Sequence, residues 1–413
     1  MMFLFFKCMQ VGTISYIYPM NDPAVYVAAS IAKDKVHAGA RPARLHSLDA
    51  LRGFDMFWII SGEGLVHSLA AASGLAVFKW ASDQLHHSDW NGFTFYDLIF
   101  PLFIFIAGVS MPYSVGNQLE KRGIVDPDIV RKRIFAALFK RTLILIFLGM
   151  VVNGLFTWPG YEHTRFASVL GRIALAGFFA ALIYLNFNLK GQLAWFIGIL
   201  LGYWAIMVLV PVPGYGAGVL TPEGNLEAYV DRIAVPGKLH RTVYDPEGLL
   251  STIPAICSAL SGIFTGRFLR WQSGWFTPLR KGFVMIGTGA VLIVLAWAWN
   301  PFFPVNKNMW TSSFVLCTSG WSLIFMALFY LVIDVAGIRR WSIPLVWIGM
   351  NSILIYLAAH GLVDFQSTAR FLFGGLIRYA SPPWQPVYLS AAIVVVQLAL
   401  VYVLYRKKIF LKV

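Results

Sequence analysis

The chain has 413 residues, of which 58% are apolar, 16% aromatic and only 13% charged, and its formal net charge is +14. A soluble domain carries about twice that share of charge, roughly 25%, so the composition excludes an ordinary soluble enzyme. The basic excess does not point to nucleic acid, because the charges gather between long apolar runs, and Lys and Arg biased to the loops on one side are what membrane orientation produces.

In chain order, residues 1–43 form a separate N-terminal segment. It opens with MMFLFFKCMQVGTISYIY, an apolar stretch interrupted by Lys7 and Gln10. It reads as a poor signal-like piece, or as sequence upstream of a start at Met20, and no function is assigned to it. Residues 44–413 are expected to form one transmembrane domain. Ten apolar runs approach the roughly 20 residues that a spanning helix needs: 51–71, 94–116, 134–155, 168–186, 192–211, 250–269, 282–300, 311–334, 342–362 and 386–405. None alternates as a barrel strand would. The expected fold class is therefore all-α, a polytopic integral membrane protein of about ten transmembrane helices.

An even count puts both termini on one side, and most of the 33 Lys and Arg residues then lie on that side. Both termini are expected in the cytoplasm. The segment 212–249 becomes the longest outer loop and ends in Asp245-Pro246-Glu247-Gly248. Connections this long are usually functional covers or linkers. The same Asp-Pro-Glu-Gly also reads as a helix start, with acids favoured at the N-terminus.

The stretch His86–Ser114 sets polar groups fit for proton chemistry (His86, His87, Asp89, Asn91 and Asp97) directly before the apolar run Leu98–Val109. Such a mouth of a membrane helix is a candidate active site. His87 leads, because a neutral imidazole near pH 7 can take the proton that an attacking nucleophile must lose. The competing reading is an interfacial histidine bonded to loop backbone. Glu63 lies inside a spanning run, where an ionisable group is costly and is a functional hypothesis by default. It either orients His87, binds a substrate ammonium or pairs helices.

Asp49 and Arg52, three apart, share a helix face, as an ion pair at the cytoplasmic entrance or as a cofactor contact. Trp90 and Asn91, with Asp97 at the helix entrance, suit a sugar, which has an apolar face and a hydroxyl rim. Arg172 falls within a span and needs a counter-charge or an anionic ligand, from Glu63, Asp97 or a cofactor. Asn351 and Ser352 are mid-helix polar groups, and Asn306, Lys307 and Asn308 form a polar outer loop able to close over a substrate. The spacing of Cys8, Cys257 and Cys317 suggests neither a metal site nor a disulfide framework.

The run HHSDWNGFTFYDLIFPLFIFIAG (86–108) resembles the signature of the heparan-α-glucosaminide N-acetyltransferase family and its bacterial relatives. RLHSLDALRGFDMFWII (44–60), YDPEGLLSTI (244–253), PVNKNMW (304–310) and WIGMNSILIY (347–356) fit the same family in order. The resemblance implies acetyl transfer from cytoplasmic acetyl-CoA, a co-substrate, across the membrane to the amine of a glucosamine-type sugar, without a metal. It puts the catalytic histidine three residues before the Trp of the WNG motif, at His87, and implies a homodimer in a bacterial inner membrane. On this reading Glu63 assists His87. Trp90, Asn91, Asp97, Asn306 and Lys307 face the amino sugar, and Arg52, Arg172, Asn351 and Ser352 face the coenzyme. Glu63 departs from the pattern, since the family's lysosomal enzyme has an important Asn there. Two alternatives remain: an O-acyltransferase of a cell-surface glycan, and an amino-sugar transporter. The latter lacks the paired repeats that many transporters carry.

Overall fold

A backbone surrounded by lipid must satisfy its N–H and C=O groups within its own segment, and the apolar runs accordingly become helices. The computed structural model describes residues 45–120, 127–157 and 160–411; the expectation for 1–43 falls outside them. The helices are α1 (His46–Phe57), α2 (Glu63–Ser73), α3 (Ala76–Gln84), α4 (Phe95–Glu120), α5 (Pro127–Val152), α6 (Val169–Asn186), α7 (Leu189–Leu209) and α8 (Leu226–Ala234). They continue as α9 (Thr252–Arg270), α10 (Pro278–Trp299), α11 (Ser312–Phe329), α12 (Ile343–Met350), α13 (Ser352–Leu357), α14 (Phe365–Tyr379) and α15 (Gln385–Arg406). Among the described residues no strand forms beyond isolated bridges such as Arg165 with Gly237.

Among the described residues eight helices are long and apolar enough to cross a membrane, or nine if the pair α12–α13, bent by 69° at Asn351, is taken as one span. The remaining predicted span, 51–71, is the run α1–α2, joined through a wider π turn at Trp58–Gly62 whose flanking residues keep helical angles. That run carries Asp49, Arg52, Asp55 and Glu63. Each of the ten predicted spans falls on helical segments, of which eight or nine are long and apolar enough to cross and 51–71 is not among them, and the chain is a multi-pass membrane protein. Side-chain caps start α6 at Ser168, α7 at Asn188, α10 at Thr277 and α11 at Thr311, each satisfying an N–H that the first turn leaves free.

Helix α9 is the centre of the bundle, with 83% of its apolar window buried, against 22% for α5, α7, α10 and α15, whose apolar faces are left to lipid. Small residues let α9 and α4 touch backbone to backbone, as apolar helices in lipid commonly do. A Cβ at Gly108 would stand 2.1 Å from the Ala259 carbonyl oxygen, and one at Gly262 would stand 2.0 Å from that of Phe105. The glycine of the Leu-Arg-Gly motif does the same between α1 and α12: a Cβ at Gly53 would lie 1.7 Å from the Leu345 oxygen.

Three helices lie outside the sequence expectation: α3, α8 and α14. Helix α8 turns the segment 212–249 into a folded cap, with Asn225 accepting from the Ala228 N–H at its start. The Asp-Pro-Glu-Gly reading needs correction. Helix α9 begins at Thr252, and Asp245–Gly248 is a turn whose acids enter a polar network instead of capping a helix.

Candidate active site

Helix α4 begins where Thr94 and Asp97 bond reciprocally. Asp97 Oδ2 accepts from the Thr94 N–H at 3.1 Å, and the Asp97 N–H donates to the Thr94 carbonyl at 3.2 Å. The bond from the Thr94 N–H to Asp97 is the returning half of a capping box, with Asp in the place of Glu. Ser88 adds its hydroxyl to the same oxygen at 2.9 Å, and the Asp97 side chain is fully buried. The other oxygen, Oδ1, faces His87 Nδ1 at 2.8 Å. A carboxylate held by so many donors only accepts, so Nδ1 carries a proton, and in the neutral ring the lone pair is on Nε2. Asp97 therefore orients the imidazole, one of the roles that the sequence reading left to Glu63.

A second segment comes over the histidine. The Gly92 N–H donates to the Val305 carbonyl at 2.9 Å, and Asn306 Nδ2 donates to Asn91 Oδ1 at 3.1 Å. Asn306 also closes its own turn, accepting from the Met309 N–H at 2.9 Å. The turn ends at Trp310, which is fully buried with φ +50°, a conformation bulky residues rarely adopt. Trp310 is held by Phe100 and by the Arg172 guanidinium 4.9 Å above its ring. The fixed turn brings Lys307 Nζ to 2.8 Å from His87 Nε2, 3.0 Å from Nδ1 and 4.0 Å from Asp97. The amine sits astride the ring rather than on one lone pair. Burial pulls the Lys307 pKa below its ordinary value, with Asp97 and Glu247 opposing.

Glu63 reaches the histidine only through Tyr96. The Tyr96 hydroxyl donates to Glu63 Oε2, and its ring lies 4.7 Å from the His87 ring, centre to centre. His67 stands 3.5 Å from the other Glu63 oxygen and stacks on His86. A cleft of about 170 Å³ opens beside Glu63, lined by residues including Ser61, Gly64 and Ser390. That is smaller than the ~300 Å³ from which ordinary ligand pockets begin.

The cap rests on the WNG motif. Trp90 donates its indole N–H to the Leu220 carbonyl at 2.8 Å and meets the Tyr244 ring edge-on. Beside it lies the polar network around Arg172. Arg172 donates to Ser251 and to the Gly248 carbonyl, while its Nε and Nη1 lack partners. The acids whose field it feels are Glu247, Glu227, Asp231 and Asp245. The expected counter-charges, Glu63 and Asp97, are replaced by acids of the cap and the turn after it. Arg165 grips Asp245 through two nitrogens, at 2.8 and 2.5 Å, and also bonds Glu247. Burial acts to raise the Asp245 pKa, but Arg165 overcomes it and holds it below the usual carboxylate range. Burial, then the neighbouring Asp231, push Glu227 well above its usual value.

The other residues expected near a coenzyme lie elsewhere. Arg52 donates to Ser110 at 2.8 Å and pairs with Asp49 at 3.7 Å. From Asp97 to Ser110 is roughly 20 Å along α4. Asn351, at the break between α12 and α13, is buried and both its amide atoms lack hydrogen-bond partners; Ser352 follows it, also buried. Thus His87, Asp97, Lys307, Asn91 and Asn306 are brought together, Glu63 joins through Tyr96, and Arg52 and Arg172 stand apart. Tyr96, Ser88 and Thr94 escaped the sequence reading. The Thr-Phe-Tyr-Asp spacing, a capping box at an expected helix start, was a usable signal for Asp97.

The match to known proteins is of the same kind. Residues 44–275, more than half the chain, match the family described as heparan-alpha-glucosaminide N-acetyltransferase, catalytic. The human heparan-alpha-glucosaminide N-acetyltransferase is 26% identical over 91% of this chain and 60% of its own length. The mouse protein of that name is 26% identical over 79% of this chain and 56% of its own. The chain thus spans less than two thirds of either relative. The matched region runs from the start of α1 through α9 and holds the His87–Asp97 pair, Trp90, Asn91 and the whole cap. The chain belongs to the heparan-alpha-glucosaminide N-acetyltransferase catalytic family.

Proposed function

We propose that this protein is a transmembrane N-acetyltransferase that passes acetyl from acetyl-CoA on the cytoplasmic side to the amine of a glucosamine-type sugar on the other. The observation that carries this is the His87–Asp97 pair at the entrance of α4, with Nδ1 tied to the carboxylate. An amine attacking a thioester must lose a proton, and Nε2 is the base that takes it. The buried charge of Asp97 stabilises the imidazolium that forms. The imidazolium then returns its proton to the departing coenzyme thiolate. A positioned base of this kind is worth about 10²–10⁴ in rate.

The rest of the reading follows from charge. CoA phosphates do not enter a bilayer core unpaired. The Arg52 end of α1, roughly 20 Å of helix from Asp97, is a basic entrance from which the thioester arm reaches inward past Asn351 and Ser352. The excess of Lys and Arg in alternate loops supports a cytoplasmic position for that end and for both termini, in what we propose is a bacterial inner membrane. Trp90 and Asn91, clamped between cap and turn, frame the sugar. Mass analysis of products after purified protein meets acetyl-CoA and a panel of amino sugars and neutral glycans is the test. N-acetylated amine supports the assignment; acetyl found only on hydroxyls, or on nothing, sinks it.

A further inference from the structure

A general base must lie about 2.6–3.2 Å from the group it deprotonates. At His87 a primary amine already stands at that distance, since Lys307 Nζ is 2.8 Å from Nε2. It is the same functional group as the sugar amine of the acceptor proposed above. Its position is not an accident of a long side chain. The Asn306–Asn91 bond, the Gly92–Val305 bond and the buried Trp310 fix the turn that carries it. Only 14% of the Lys307 side chain is exposed, so the stem is packed and the head has little freedom to leave. Burial also favours the uncharged, nucleophilic form of the amine.

We propose that Lys307 is itself an acetyl acceptor, a self-modification site that fills when donor arrives before sugar. This rests on the acetyl-CoA reading above. In the step, the Nζ lone pair attacks the thioester carbonyl carbon. An N–C bond forms, the C–S bond breaks and sulfur leaves as thiolate. The proton lost by nitrogen passes through His87 Nε2 to that thiolate, giving N-acetyl-Lys307 and CoA thiol. The amide is neutral, keeps no basic lone pair and occupies the place of the sugar amine. A donor-loaded protein without acceptor would thereby silence itself.

The test uses the purified full chain with acetyl-CoA and no sugar, with each lysine peptide followed by mass. Lys307 should be acetylated at least about tenfold faster than the exposed Lys79 and Lys238. His87→Ala should slow Lys307 about 100-fold and leave those two unchanged. Glucosamine in a parallel sample should yield N-acetylglucosamine and protect Lys307. If glucosamine is acetylated while Lys307 reacts no faster than Lys79, self-modification is overturned and the transferase reading stands. If neither is acetylated, both readings fall. Lys307→Arg gives a second measure, scored against its own starting rate. Preincubation with donor alone should inactivate the wild type progressively and spare the variant; equal decay in both overturns the inference.

Discussion

His87 Nδ1 and Asp97 Oδ1 are 2.8 Å apart, and the carboxylate that fixes the imidazole is the same one that caps α4. One side chain thus sets both the start of the helix and the orientation of the imidazole. Asp97→Asn keeps an oxygen for Nδ1–H but offers no charge to an imidazolium. It also turns an amide towards the donors of Thr94 and Ser88. We expect kcat to fall about 100-fold, about 2.7 kcal/mol of transition-state stabilisation, with KM for the sugar little changed. Steady-state kinetics on the folded variant decide it, and an unaltered kcat removes Asp97 from the mechanism.

His87→Ala deletes the proposed base and little of the helix packing, because the imidazole is about half exposed at the rim. Acetyl transfer should fall at least about 100-fold while calorimetry still records CoA binding. Normal turnover in this variant refutes the assignment of the base.

The fold was legible because a membrane restricts the chain to helices of known length, so hydropathy alone located ten segments. The three short helices α3, α8 and α14 were not, since each lies outside the apolar runs on which that count rests. At the site, His87 and the polar turn at Asn306–Lys307 stood out as chemistry next to apolar sequence. What the sequence could not reveal was pairing at a distance. Asp97 rather than Glu63 meets His87, because the loop from His87 to Thr94 folds back on the first turn of α4. Arg172 finds its acids in 227–247, far along the chain, because the cap folds over the N-terminus of α6. No local pattern encodes either contact.

Glu63 and Tyr96 are expected to act as one unit, since the carboxylate meets His87 only across the tyrosine ring. Glu63→Gln should lower turnover roughly tenfold, about 1.4 kcal/mol, and Tyr96→Phe by a similar factor. The double variant should be no worse than the worse single one, because coupled residues do not add. Losses that multiply would mean two independent roles, and no loss in Glu63→Gln would make that carboxylate purely structural.

The stability of the cap should depend on pH from both sides. Asp245, held low by Arg165, contributes stability that is present above the ordinary carboxylate value, about 3.9, and is lost as pH falls through its depressed pKa. Glu227 works the other way. It is fully buried, receives the Ser251 hydroxyl at 2.9 Å and has Asp231 and Arg172 as its charged neighbours. Its pKa is raised, so no penalty exists below the unfolded value of about 4.3, and stability is lost as pH climbs through the folded one. Glu227→Gln removes that ionisation. Relative to the wild type, the variant should gain thermal stability progressively as pH rises from about 5 to 9, a span that starts just above the unfolded carboxylate range. Melting curves of the detergent-solubilised pair across that range check it, and a difference that stays constant with pH means that Glu227 is ionised in the folded cap as in the unfolded chain and its pKa is not raised.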